Sequence, residues 1–168
     1  MTEPSVVIDQ RPPLRLASFQ ITKQHRRFCE FADAVRRHRY IGACYGAPGL
    51  GKTLSARTYA ASADWERWAN RRYSTESTLP ASLLESRTVM FTPEVAMTAR
   101  QLHNEVSHYV HTLGGDIERC FNPDFGELDE PFVESPTRTE LLIIDEADRL
   151  KTSGLEQCGT SSTATTSG

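Results

Sequence analysis

Two clusters of residues have the types and the spacing to act on a phosphate. The first is Gly46-Ala47-Pro48-Gly49-Leu50-Gly51-Lys52-Thr53, which fits G-x-x-x-x-G-K-[ST], with Leu54 following in the helix it should open. Glycines let a backbone curl until successive N–H groups point inward at phosphate oxygens. The helix behind them adds its positive N-terminal end. Lys52 then reaches the outer phosphates, and the Thr53 hydroxyl is an oxygen ligand for Mg²⁺. Average residue frequencies give a chance match in a chain this long about once in a hundred, so the pattern is specific. The second cluster is Leu141-Leu142-Ile143-Ile144-Asp145-Glu146. An apolar strand of this kind buries both faces and delivers Asp145 to its C-terminal edge, where open α/β sheets bind ligands. Asp145 is the candidate for Mg²⁺ and Glu146 for polarising an attacking water. Alone that second pattern is weak; downstream of the glycine loop it gains force.

Such groups need elements to hold them. Thr22 reads as the N-cap of a helix whose apolar stripe is Phe28, Phe31, Ala32 and Val35. Residues 40–45 are aromatic, β-branched and bounded by glycine, and predict a buried strand ahead of the loop. A helix should run from Lys52 through Ala60 or beyond. Residues 87–92 predict a second strand. A long helix should follow, with Thr92 as N-cap and Pro93 in its first turn. Its stripe is Val95, Ala99, Leu102, Val106, Tyr109 and Leu113, and Gly114–Gly115 should stop it. Residues 141–145 give the third strand. Residues 64–80 are polar and carry no clear period, and 120–136 read as an acidic, proline-rich loop. Strand, glycine loop, helix, strand, helix, strand is the order of an α/β fold with a mainly parallel sheet.

Composition excludes several other functions. The 168 residues suffice for one domain. No apolar run approaches the ~18–20 residues of a membrane span, and the first ten residues lack the order of a secretory signal, so a soluble, cytoplasmic protein is expected. Cys29, Cys44, Cys120 and Cys158 show no short metal-binding spacing. His103, His108 and His111 miss the i, i+4 pair of a helical metal site. Trp65 and Trp68 among Arg67, Arg71 and Arg72 suit either a nucleic-acid grip or a half-buried helix with basic flanks. Charge is segregated. Eight Lys/Arg between Arg11 and Arg39 face only Glu30 and Asp33, whereas residues 114–140 hold eight acids against Arg119 and Arg138. Such blocks mark nucleic-acid or protein contacts or plain solvated surface.

The two motifs together resemble the AAA+ ATPases. Arg39-Tyr40-Ile41-Gly42, the stretch 46–57 and the run 141–157 are closer still to the DNA-transposition ATPases of the TniB and phage Mu B type. That resemblance covers about residues 20–157. It implies a P-loop fold of three layers, with ATP and Mg²⁺ at Gly46–Thr53, Asp145 and Glu146. It also implies a DNA partner, reached through the stretch from Arg11 to Arg39, a transposase partner and a homo-oligomer. Asp145-Glu146-Ala147-Asp148 also spells the signature of DEAD-box helicases. Pro48 stands where their loop carries threonine, and Pro136-Thr137-Arg138 lies before the third strand rather than after the second, so the helicase reading is the lesser one. A nucleotide- or partner-binding fragment without turnover is the other alternative.

The resemblance implies five strands in the order 5-1-4-3-2, of which the chain can supply three. The expected division is an extended arm at 1–20, an incomplete ATPase core at 21–157 and a Ser/Thr-rich tail at 158–168. The implied sensor and arginine finger have no counterpart, so weak or no hydrolysis is expected. Reading the tail's back-translation one base out of frame, with G/C-rich codons, can restore an amphipathic helix after Gln157. A frameshift is therefore expected there. Sequencing the locus checks it: a continuous frame with no ATPase remainder downstream would remove the basis for that expectation.

Overall fold

The computed structural model describes residues 19–70, 78–94, 97–122 and 138–150. Most of the arm, Arg11, Arg15, Arg71, Arg72, Val95, most of the acidic loop and the tail lie outside them.

Helix α1 (Lys23–His38) starts where the sequence places it: the Thr22 hydroxyl accepts from the His25 N–H at 3.1 Å. Its stripe buries Ala32 and Val35, with Phe28 and Phe31 half-buried. Helix α2 (Lys52–Tyr59) follows the glycine loop, α3 (Ser62–Ala69) runs into the stretch whose period was unclear, and α4 (Ala81–Ser86) follows that stretch. Trp68 explains α3. It is buried in the core, and its indole N–H donates to the buried Asp116 carboxylate at 2.7 Å.

Strand β1 (Thr88–Phe91) pairs in parallel with β2 (Leu141–Ile144), Thr88 opposite Leu141 and Phe91 opposite Ile144. Parallel neighbours need a long crossover, and α5 (Ala99–Phe121) provides it. Val89 and Phe91 alternate with Met90, so they share one face. Val89 joins Trp68, Leu79, Leu83, Leu113 and Ile117; Phe91 joins Leu102, Val106 and Leu150. Leu142 packs against both groups, so the core is continuous across the strand pair.

Three local expectations give way to packing. Helix α5 begins at Ala99, not Pro93, because Thr98 and Gln101 form a reciprocal capping box. The Thr98 hydroxyl accepts from the Gln101 N–H and the Thr98 N–H donates to the Gln101 side chain at 3.0 Å. It also runs through Gly114–Gly115 to Phe121. The next turn carries Asp116 and fully buried Ile117 into the core, which outweighs roughly 1 kcal/mol of backbone entropy per glycine. Residues 40–45 form no strand and are exposed, Ile41 to 77% and Tyr45 to 93%. A strand exists only by pairing, and among the described residues β1 and β2 pair with each other alone. Leu141–Ile144 are correspondingly half-buried rather than fully enclosed.

Two glycines make opposite predictions. A Cβ at Gly42 would stand 2.5 Å from Phe31 Cζ and 2.6 Å from Val35 Cγ2, so the segment crosses α1 in tight contact. A Cβ at Gly115 would meet nothing within 4 Å. Gly42→Ala should lose about 1–3 kcal/mol by overpacking. Gly115→Ala should gain about 0.5–1 kcal/mol from helix propensity. Urea denaturation of the two variants checks both signs.

Candidate functional site

The loop 46–51 has the backbone that inward N–H groups require. Gly49 and Gly51 take φ of 80° and 79°, a left-handed region that a side chain disfavours, and an added Cβ at either would meet no other group. Positive φ at Gly49 and Gly51, on either side of Leu50, is backbone of the kind that lets successive amides turn toward one anion. The Ser55 N–H donates to the Gly51 carbonyl at 2.8 Å, so α2 starts directly from the loop. Lys52 Nζ folds back and donates to the carbonyls of Gly46 at 2.7 Å and Ala47 at 3.0 Å. Its ammonium thus lies across the loop it is expected to serve. Gly46, Ala47, Pro48, Thr53 and Leu54 are all exposed, and so is Leu50, at 50%.

What aims α2 lies at its other end. The Tyr59 hydroxyl donates to Asp33 Oδ1 at 2.7 Å, and Arg36 of α1 also reaches that hydroxyl. Burial, then the Asp33 hydrogen bond, push the Tyr59 phenol up to about 12. Arg36 Nε donates to Glu140 Oε2 at 2.5 Å, and Arg87 Nη1 donates to Glu140 Oε1 at 2.9 Å. Arg87 immediately precedes β1 and Glu140 immediately precedes β2. The Tyr59 end of α2 is therefore tied to the N-terminal ends of both strands. Its Lys52 end, which opens from the glycine loop, lies about 10 Å away along the helix. Burial raises the Glu140 carboxyl and the two arginines lower it, with a net depression.

Asp145 stands at the C-terminal end of β2. Its N–H donates to the Phe91 carbonyl at 2.9 Å, which extends the ladder one step and fixes the carboxylate at the strand edge. Glu146 follows, exposed, with φ of 53°. A 3-10 turn over Ala147–Arg149 brings Arg149 back to it as an ion pair. Arg149 Nη1 also donates to the Pro93 carbonyl beyond β1 at 3.2 Å. Arg149 was not foreseen. Its signal was an arginine three residues past an acid, within the run 141–157 that carries the resemblance.

The residues present fit a nucleoside triphosphate with Mg²⁺. The loop offers an amide concavity with open space above its glycines, Lys52 a cation, and Thr53 and Asp145 the hard oxygen donors that Mg²⁺ prefers. Among the described residues no group of three or more His, Cys, Asp and Glu is placed to hold a metal ion by itself. His103 and His108 are exposed on α5, and Trp65 packs against the core edge-to-face with Tyr109, so neither joins the site. No described helix is long and apolar enough to cross a membrane.

Comparison with known proteins gives the family. The sequence pattern of a family described as AAA domain is matched across residues 35–164. A Staphylococcus aureus protein named "Potential ATP-binding protein" is 32% identical, the match taking in 83% of this chain and 52% of that protein. The chain spans about half the length of this curated relative. No solved structure matches it.

The Glu140 tether sets a pH dependence. Its folded value lies below the ordinary 4.5, so its stabilisation is complete above that range and is lost as the pH falls through the folded value. Glu140→Gln should cost about 1 kcal/mol at neutral pH and flatten the acid limb of stability. Urea midpoints measured from pH 7 down to pH 3 check this.

Proposed function

The chain belongs to the AAA domain family, and on that premise we propose that it binds ATP with Mg²⁺ at the loop 46–53 and hydrolyses it there weakly, if at all. Its fold is the α/β fold of P-loop nucleoside triphosphatases. The observation that carries the proposal is the pairing of the Gly49/Gly51 concavity with Lys52 across its mouth. Phosphate oxygens accept from the loop amides, and Lys52 exchanges the Gly46 and Ala47 carbonyls for phosphate. Thr53 and Asp145 supply oxygens to Mg²⁺, which when bound offsets the charge of the outer phosphates. Glu146 orients the attacking water and takes its proton. The ATP-binding name of the relative and the loop chemistry support the same ligand.

The role in DNA transposition rests on the likeness of residues 39–42, 46–57 and 141–157 to the transposition ATPases. In that role nucleotide binding governs contact with target DNA and with a transposase. The exposed cations of α1 are suited to phosphate backbone: Lys23, Arg26, Arg27, Arg37 and Arg39 are all solvent-facing, whereas Arg36 is spent on Glu140.

Removing the Lys52 contact should cost a charge-assisted hydrogen bond, so Lys52→Ala should weaken ATP binding by about tenfold or more. Glu146→Gln should keep binding and lose turnover. Fluorescent-nucleotide titration and phosphate release, with and without duplex DNA, check both; unchanged affinity in Lys52→Ala would reject the site. If α1 grips phosphates, the logarithm of DNA affinity should fall with that of salt by about 0.9 per contact. A flat salt profile would reject the DNA surface.

A further inference from the structure

The described residues hold one cation that the proposed chemistry does not use but that touches its base. We infer that Arg149 is a positioning residue that restrains Glu146 in the nucleotide-free protein, holding its carboxylate against the exit of β1 until the contact is broken. The inference rests on reading Glu146 as the base.

Three observations carry it. Arg149 is anchored on two sides, by the ion pair to Glu146 and by donation from Nη1 to the Pro93 carbonyl at 3.2 Å. An exposed ion pair alone is weakly held, but this guanidinium is also fixed to backbone of the neighbouring strand's exit. The two residues stay in register through the 3-10 turn, in which the Arg149 N–H donates to the Glu146 carbonyl at 3.0 Å. Glu146 itself is one of four described non-glycine residues with positive φ. That left-handed backbone is disfavoured for a residue bearing a Cβ, so it needs neighbours to hold it. The arrangement is a disfavoured backbone closed by an ion pair. In it one side of the Glu146 carboxylate is engaged by the Arg149 guanidinium. Breaking the pair relaxes the turn and frees the carboxylate.

The test uses Arg149→Gln, Arg149→Lys, Glu146→Gln and the double variant Arg149→Gln/Glu146→Gln of the full chain. In the absence of nucleotide, a urea double-mutant cycle should show non-additivity of about two- to fivefold in the unfolding equilibrium constant. Additive effects would overturn the contact. Without Mg²⁺, freeing the Glu146 charge should weaken ATP binding severalfold relative to ADP in Arg149→Gln. Arg149→Lys should restore the ratio, and Glu146→Gln should abolish the effect. An unchanged ratio would overturn the restraint. With Mg²⁺, Arg149→Gln should raise kcat by about two- to fivefold and leave KM within twofold, since only the release of the base is eased. A fall in kcat would overturn the restraint in favour of an assisting role. Coupling and an altered affinity ratio without turnover in any variant would support the restraint and reject hydrolysis by this chain.

Discussion

Helix α2 carries the phosphate loop at its start and the Tyr59 hydroxyl at its end, and the tyrosine end is the one that is tied. Asp33 and Arg36 receive it from α1, and Arg36 passes the constraint to Glu140, where Arg87 joins. One carboxylate thereby holds the helix that precedes the loop and the entries of both strands. The loop needs no tether of its own, because a helix held at one end is a stiff pointer over eight residues. On the proposed reading, the Glu140 cluster is what relates the helix carrying Lys52 to the strand pair that ends in Asp145. Salt screening weakens such a cluster less than an exposed pair, since its side chains are about a quarter to a third exposed.

At the business end the resting charges are satisfied within the chain. Lys52 rests on two loop carbonyls, and Glu146 rests on Arg149. Neither group is deeply buried, so neither contact is strong, and each is of the size that a ligand can exchange. On the proposed reading, binding at this site is a swap of partners rather than the filling of a rigid mould. The cost of the swap is small because phosphate is a better acceptor for Lys52 than a carbonyl.

The sequence made the local chemistry legible and hid the long-range geometry. The glycine loop could be read because each residue's role there depends on its own backbone freedom or its own side chain. Thr22 as a cap and the stripe of α1 were legible for the same reason. The start of the long helix was read at Thr92–Pro93, and the Thr98–Gln101 capping box that begins it six residues later went unread. Gly114–Gly115 read as a stop because the burial of Ile117 beyond them cannot be seen locally. Residues 40–45 have strand composition and no strand, since pairing belongs to two segments and composition to one. Arg36 and Glu140 are 104 positions apart, and no spacing rule links them. At the site, Asp145 and Glu146 were found from their strand; Arg149 was missed because its partner role depends on the 3-10 turn.

The central claim is that the loop 46–53 is a phosphate cradle aimed at the strand edge that carries Asp145. Amide NMR during titration with Mg-ATP tests it most directly. The expected result is that the largest shifts fall on the N–H groups of Gly49, Gly51, Lys52 and Thr53, with a second set at Asp145 and Glu146. Saturating Mg-ATP that leaves those amides unmoved, or that moves a different surface instead, would contradict it.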